Sequence, residues 1–564
     1  MTPSHSTDPS APRTDPFRWS RAEGACAFAH FSDPGHSSQR QYARQHGIPR
    51  STLGYWLRHE DPTDLDADLV ALLRSPSGER FLRRIVLAAL LVFQQQGCCG
   101  IRPVGQFLQL AQLDPFVATS YGALHELATA VQTNLGLFAD QQPALAAQMA
   151  PRTITLTADE NFHGPHPCLV AIEPVSNFLL VECYRDRRDG DTWTEVIEHG
   201  LRDMPVKVVL LGSDEARGLL RCARDGLGVP HSPDLFHRQR DLLKPVLLPL
   251  ARSIRQAEKE LDEATGHLDS LDGELSAEGS VPMSVKEIGQ IAQAIRHEEA
   301  AKERLEQAQQ HKEELLQQVR GLGDDYHPFD RQTGRPVTAE QVARRLEQRH
   351  QSVERVVQNA DLSECASEAV AKARSGLGAL VAVVAWFWSL TRQRVEELEL
   401  SEEAEQLVYE SLLPGLYWQA AAQRGRDADE RQRLKEMAQR LQEQAWRPGG
   451  ALASLPEQQR KEVQRVAQEC AGLFSRSSSC VEGRNGRLSL HHHGQGRLSE
   501  GKLKALTVIH NYVVKRCDGT TAAQRFFGVK HTDVFAWLLE RLPELPRPAA
   551  KRPKTATRAA PQGG

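Results

Sequence analysis

Lysine is missing from the first two hundred residues: apart from histidines, every basic side chain before Lys207 is an arginine. The chain also lacks an excess of either charge. Lys+Arg number 69 against 73 Asp+Glu, a formal net charge of −4, which excludes a bulk polycation and leaves any nucleic-acid contact to local patches. None of the ten cysteines forms a CxxC pair. That argues against a zinc ribbon or a disulfide framework and for reduced, buried thiols. The stretch Met1–Pro16 is polar and rich in Pro and Ser, without the apolar core of a secretory signal, and reads as a disordered lead-in (1–16). The longest apolar run, Gly376 to Leu390, falls short of the roughly 20 residues a bilayer requires. The expectation is a buried helix, no membrane contact and a cytoplasmic protein.

What is present is an ordinary globular composition, 40% hydrophobic and 25% charged over 564 residues, enough for three or four domains at roughly 150 residues each. The fold class expected is multidomain α and α/β. Short helices broken by Gly and Pro turns fill 17–137. Across 150–243 the period changes to strands alternating with helices: ITLTADENF, CLVAIEPVSNFLLVECY and VKVVLLGSD are apolar runs ended by polar residues. From 244 to 471 the pattern is helical. Leu250, Ile254, Ala257, Leu261, Ala264, Leu268, Leu271 and Leu275 follow four-three spacing, a breaker cluster spans Gly273 to Ser284, and Leu305, Ala308, Leu315, Val319 and Leu322 resume the pattern. An antiparallel hairpin follows, as a coiled coil or as an amphipathic pair packed on a core. The segment 472–545 is helical again, and 546–564 is a basic, disordered tail suited to phosphate or simply solvated.

Two helix-turn-helix candidates precede the α/β part. In SSQRQYARQHGIPRSTLGYWLRH, Ala43 lies in a first helix, Gly47 makes the turn, and Ile48, Leu53 and Leu57 hold a second helix from Arg50 to Arg58. Its outer face carries Arg50, Ser51, Tyr55 and Arg58, which can donate to phosphates or base edges. The alternative is a purely structural helix pair. A second candidate, Ile101 to Val131, has a first helix near Val104–Leu110 and a second capped by Thr119 or Ser120. It offers few cations.

Three acids sit at the ends of expected elements: Asp159 closes ITLTAD, Asp214 closes VKVVLLGSD, and Glu482 opens a helix in SSSCVEGRNGRLS. Singly, each aspartate reads as a turn former or cap. Glu160, next along a strand, points to the opposite face and reads as a bystander. In their order and setting the three acids resemble those of the DDE transposases of bacterial insertion sequences, whose core has an RNase H-like fold. The interval from Asp159 to Asp214 is normal for that family. The interval to Glu482 is far too long unless a domain is inserted, as several transposase families do with an all-α block.

The resemblance extends to Asp234 and His237, similar to a (C/D)xxH element after the second acid, and to Arg484, Asn485 and Arg487, which look like the helix of the third motif and would face DNA. The closing run KALTVIHNYVVKRCDGTTAAQRFFG is similar to that of an uncharacterised transposase-like family. The resemblance implies catalysis by Asp159, Asp214 and Glu482 holding two Mg²⁺ ions, with Mn²⁺ as a substitute. Two such ions neutralise the entering and leaving oxygens of phosphodiester transfer. Asp234 and His237 would support these ligands. The partners implied are double-stranded DNA, as transposon ends and target, and a second protomer in a dimer or larger synaptic complex; the setting implied is the bacterial nucleoid. Two alternatives stay open: a catalytically inert, transposase-derived DNA-binding protein, and an RNase H-like nuclease without strand transfer. His491, His492 and His493 line a DNA channel or a loop in this reading, and Trp193 is core.

Overall fold

The computed structural model describes residues 21–548 except 33–34, 36, 60–66, 163–165, 278–283, 424, 426 and 477. The expected lead-in 1–16 lies outside the described residues, as does the tail beyond 548. Most described residues are helical, with one mixed five-stranded sheet. The chain divides into two compact units, 1–148 with 488–564, and 149–487. The C-terminal segment expected to return to the α/β part therefore does so only as far as Arg487.

In the first unit, the helices Gln39–Gln45 and Arg50–His59 flank a turn at Gly47, whose φ of +63° only glycine adopts readily. Ala27, Tyr42, Ala43, Ile48, Leu53 and Trp56 bury together beneath them, with Leu57 packed alongside. The second helix pair spans Ile101–Leu110 and Tyr121–Phe138, and Ser120 caps the latter by accepting from the Ala123 N–H. The Pro546 carbonyl, at the start of the expected basic tail, accepts the Ala118 N–H at 2.8 Å.

In the second unit, the strands are β1 (Arg152–Phe162), β2 (Pro167–Glu173), β3 (Phe178–Tyr184), β4 (Val206–Ser213) and β5 (His231–Pro233), in the order β3-β2-β1-β4-β5. β1 to β3 form an antiparallel meander, while β4 and β5 join parallel to β1. The β4 crossover runs through the helix Gly190–Leu201, whose Trp193 is fully buried, as expected of a core residue. β2 is buried along its whole length, apolar from Pro167 to Ile172 and ending in the buried Glu173. Asp159 does not close β1: pairing with β2 continues to Phe162 opposite Pro167.

The helical block is larger than 244–471. It leaves the sheet at the helix Leu235–Ala277, which runs through Pro245, Pro249 and the supposed breaker Gly273. The chain returns along Val285–Asp325, started by a Ser284–Glu287 capping box. Gln239 pairs with Val319, Glu260 with Arg304 and Thr265 with Glu298, so the two helices are antiparallel. Ala257, Ala264, Ala294 and Ala301 are buried along the seam. The Leu275 side chain lies outside the described residues.

One stretch, Glu364–Glu396, is long and apolar enough by length and composition to cross a membrane. This corrects the expectation that no run suffices, since helical residues flank Gly376–Leu390 on both sides. Its Leu380, Val384 and Phe387 are buried in the core of the helical block with Leu346, Val353 and Trp418.

Candidate active site

Strand register brings the first two acids together. β1 and β4 are parallel with Thr157 opposite Gly212, so two residues further along the same face Asp159 comes beside Asp214. Each carboxylate is fixed by backbone: Asp159 Oδ1 accepts the Glu160 N–H at 2.8 Å, and Asp214 Oδ1 accepts the Ala216 N–H at 3.0 Å. Glu160 joins them. One carboxylate oxygen from each of Asp159, Glu160 and Asp214 lies within 4.8 Å of the others. The expectation that Glu160 faces away is thus corrected: alternation fixes Cβ directions, but pairing of β1 with β4 stops at Thr157, and beyond it a side chain as long as glutamate reaches round the strand. Arg188 at 3.5 Å and the Trp193 indole N–H at 3.5 Å hold it there.

Glu482 belongs to a neighbouring group. It lies in the first turn of the helix Ser479–Gln495, with ligand atoms of Asp234 and His237 within 4.8 Å. Asp234 directly follows β5. It is buried, accepts from the Phe236 N–H at 2.8 Å and the Ser478 N–H at 3.2 Å, and contacts the Ser478 hydroxyl and His237 Nδ1, the latter at 3.1 Å. The Leu235 N–H donates to the Arg476 carbonyl at 3.1 Å. The helical block therefore leaves and re-enters the α/β part at one place. This stitching carries Glu482 back to the sheet across more than two hundred residues.

The two groups are tied together. Asn485, one turn after Glu482, donates from Nδ2 to Asp159 Oδ2 at 3.0 Å, and Asn161 Nδ2 donates to the Asn485 carbonyl at 3.4 Å. Asn485 is thus a positioning residue for Asp159, which corrects its expected DNA-facing role. Arg484 is also reassigned. It is buried and forms two 2.6 Å bonds to Glu182, whose side chain is fully buried, because the helix turns that face onto β3. Arg487 is exposed and remains available.

Burial pushes Asp159 up to about 7; the Asp214 charge adds to this, while the Glu160 N–H and His237 oppose it. Burial likewise raises Glu160, against the pull of Arg188, and raises Glu482, with Asp234 adding and His237 and Arg240 opposing. His237 thus acts electrostatically on a member of each group. Two half-buried carboxylates that burial keeps from ionising, Asp159 and Glu160, set beside the Asp214 carboxylate, are a donor set that fits a hard divalent cation, since such a cation removes both the repulsion and the desolvation cost.

Residues 408–554 match a family of unknown function (DUF6399). No curated protein matches the chain. The family match takes in Glu482, Arg484 and Asn485 but neither Asp159 nor Asp214, so it covers one side of this site.

Elsewhere, Arg50 and Ser51 are exposed at the start of their helix, while the side chains of Tyr55 and Arg58 lie outside the described residues. His491, His492 and His493 lie on the helix Ser479–Gln495 rather than in a loop; the first two are buried, and His492 Nδ1 is 2.7 Å from the Gly496 carbonyl. Among the described residues no cysteine is joined in a disulfide. Sequence reasoning missed Ser478 and Glu182, which carry no local signal. It underrated Glu160, whose adjacency to Asp159 was the available clue.

Proposed function

We propose that the protein is a metal-dependent DNA transposase that cuts element ends and joins the freed 3′-hydroxyls to target DNA. The observation that carries this reading is the approach of Asp159 and Asp214 on adjacent parallel strands, with the Glu482 helix bonded to Asp159 through Asn485. The strand order β3-β2-β1-β4-β5, with its antiparallel meander and parallel extension, supports an RNase H-like core. The two helix pairs of the first unit, the one turning at Gly47 above all, support tandem helix-turn-helix modules that bind double-stranded DNA.

Asp159, Glu160 and Asp214 would hold one divalent cation, and Glu482 with Asp234 and His237 a second. Mg²⁺ or Mn²⁺ suits the oxygen-rich ligands. Such ions, when bound, neutralise charge on the entering and leaving oxygens of the phosphodiester. The protein's own part is positional. Asn485 and the Glu160 N–H fix both Asp159 oxygens, the Ala216 N–H fixes Asp214, and Asp234 orients the His237 ring through Nδ1. A second protomer would be needed to bring two ends together.

The test is incubation of purified protein with labelled terminal-repeat DNA and Mg²⁺ or Mn²⁺, comparing wild type with Asp214→Ala. Cleavage and joining, both lost in the variant, support transposition. Cleavage without joining replaces it by a nuclease, and binding alone by an inert DNA-binding protein.

A further inference from the structure

Glu160 also borders a cavity of about 610 Å³, lined by Arg188, Arg217 and Arg221 with Glu160 and Asp189. Ala216, whose N–H holds Asp214, lines it too, so cavity and acid cluster share a wall. Two of the arginines are engaged. Arg188 lies 3.5 Å from Glu160 and over the ring of Phe162 at 5.0 Å, and Arg221 is 3.2 Å from Asp191. Arg217 is exposed, and its side chain makes no hydrogen bond or ion pair among the described residues. Its place follows from Gly218: a Cβ there would stand 2.1 Å from the Arg188 carbonyl oxygen, so only glycine lets the helix start press onto that turn and set Arg217 beside Arg188.

We propose that this cavity seats a backbone phosphodiester of the DNA strand, one flanking the phosphodiester that reacts at Asp159 and Asp214, with Arg217 as its principal contact. This rests on the transposase reading. The acid cluster by itself repels a polyanion, so a strand drawn across it needs a cation close by. Guanidinium is suited to this, because its planar fork matches two phosphate oxygens. With Arg188 and Arg221 each engaged by an acid, Arg217 supplies the one unpaired positive charge in the lining, which complements a singly charged diester rather than a doubly charged free phosphate.

The experiment uses the full chain. Binding of a fluorescent duplex is followed by anisotropy across a salt series without divalent cations, for wild type, Arg217→Ala and Arg217→Lys. Mn²⁺-dependent nicking of supercoiled plasmid is followed in parallel. Arg217→Ala is expected to weaken binding about threefold to tenfold for every sequence, to lower the slope of log affinity on log salt by about 1, and to raise KM more than it lowers kcat, with partial recovery in Arg217→Lys. Unchanged affinity and salt slope in Arg217→Ala, with nicking intact, would overturn the phosphate seat and leave the transposase reading standing. Failure of the wild type to nick, with the binding defect of Arg217→Ala present, would overturn the enzymatic reading and keep the seat as a DNA contact. Equal competition by inorganic phosphate in wild type and Arg217→Ala is expected; a selective loss in the variant would reassign the cavity to free phosphate.

Discussion

Replacing Asp159 by Asn should change the pH dependence of stability in a defined direction. Asp159 is held at about 7 in the fold against an ordinary 3.8, chiefly by burial and then by Asp214. The folded chain therefore keeps a proton that the unfolded chain has released. The stability this proton confers is fully present below about pH 4 and is lost as pH rises through about 7, a loss on the order of 3–4 kcal/mol. Glu160 and Glu482, both raised by burial, act in the same sense. His231 acts oppositely: burial lowers it to about 4, so its contribution is lost as pH falls below its ordinary 6.5. The informative quantity is thus the difference between wild type and Asp159→Asn, measured by thermal melting from pH 5 to 8 without divalent cation. The variant should gain on wild type as pH rises. Mn²⁺ at about a hundred times its Kd should then return roughly 2.7 kcal/mol, or about 2–4 °C, to the wild type alone. Below pH 7 that affinity should fall about tenfold per pH unit as the cation competes with the proton. A flat difference curve, or an equal Mn²⁺ shift in the variant, would refute the placement of Asp159 in a cation site.

Three further outcomes follow from particular contacts. Arg484→Ala leaves the fully buried Glu182 carboxylate without its bidentate partner, and denaturant unfolding should show a loss of about 3–5 kcal/mol; a loss within ~0.5 kcal/mol would restore Arg484 as a surface residue. Asn485→Ala removes a donor to Asp159 and should weaken Mn²⁺ binding about tenfold by calorimetry, with little change in the melting temperature, unless Asn485 only fills space. Arg50→Ala should weaken duplex binding uniformly and reduce the salt slope by about 1; unchanged binding would leave the helix pair a structural one.

The sequence by itself determined the elements. The β-rich runs around Leu156, Val170 and Leu211, the Gly47 turn, the Ser120 cap and the long four-three seam all rest on interactions between near neighbours, which composition and period record. The candidacy of Asp159, Asp214 and Glu482 was legible in their order and in the apolar runs and helix start they accompany, and that of Asp234 and His237 in the resemblance, although β1 runs on past Asp159 to Phe162. Only the tertiary structure decided how these acids group, that Glu160 joins them, that Asn485 serves Asp159 and that Arg484 serves Glu182. The physical reason is the range of the interactions. Side-chain direction at a strand end and the burial of a guanidinium depend on whichever surface packs opposite. Here that surface arrives from the far side of the helical block, held by Asp234 on Ser478 and Leu235 on Arg476.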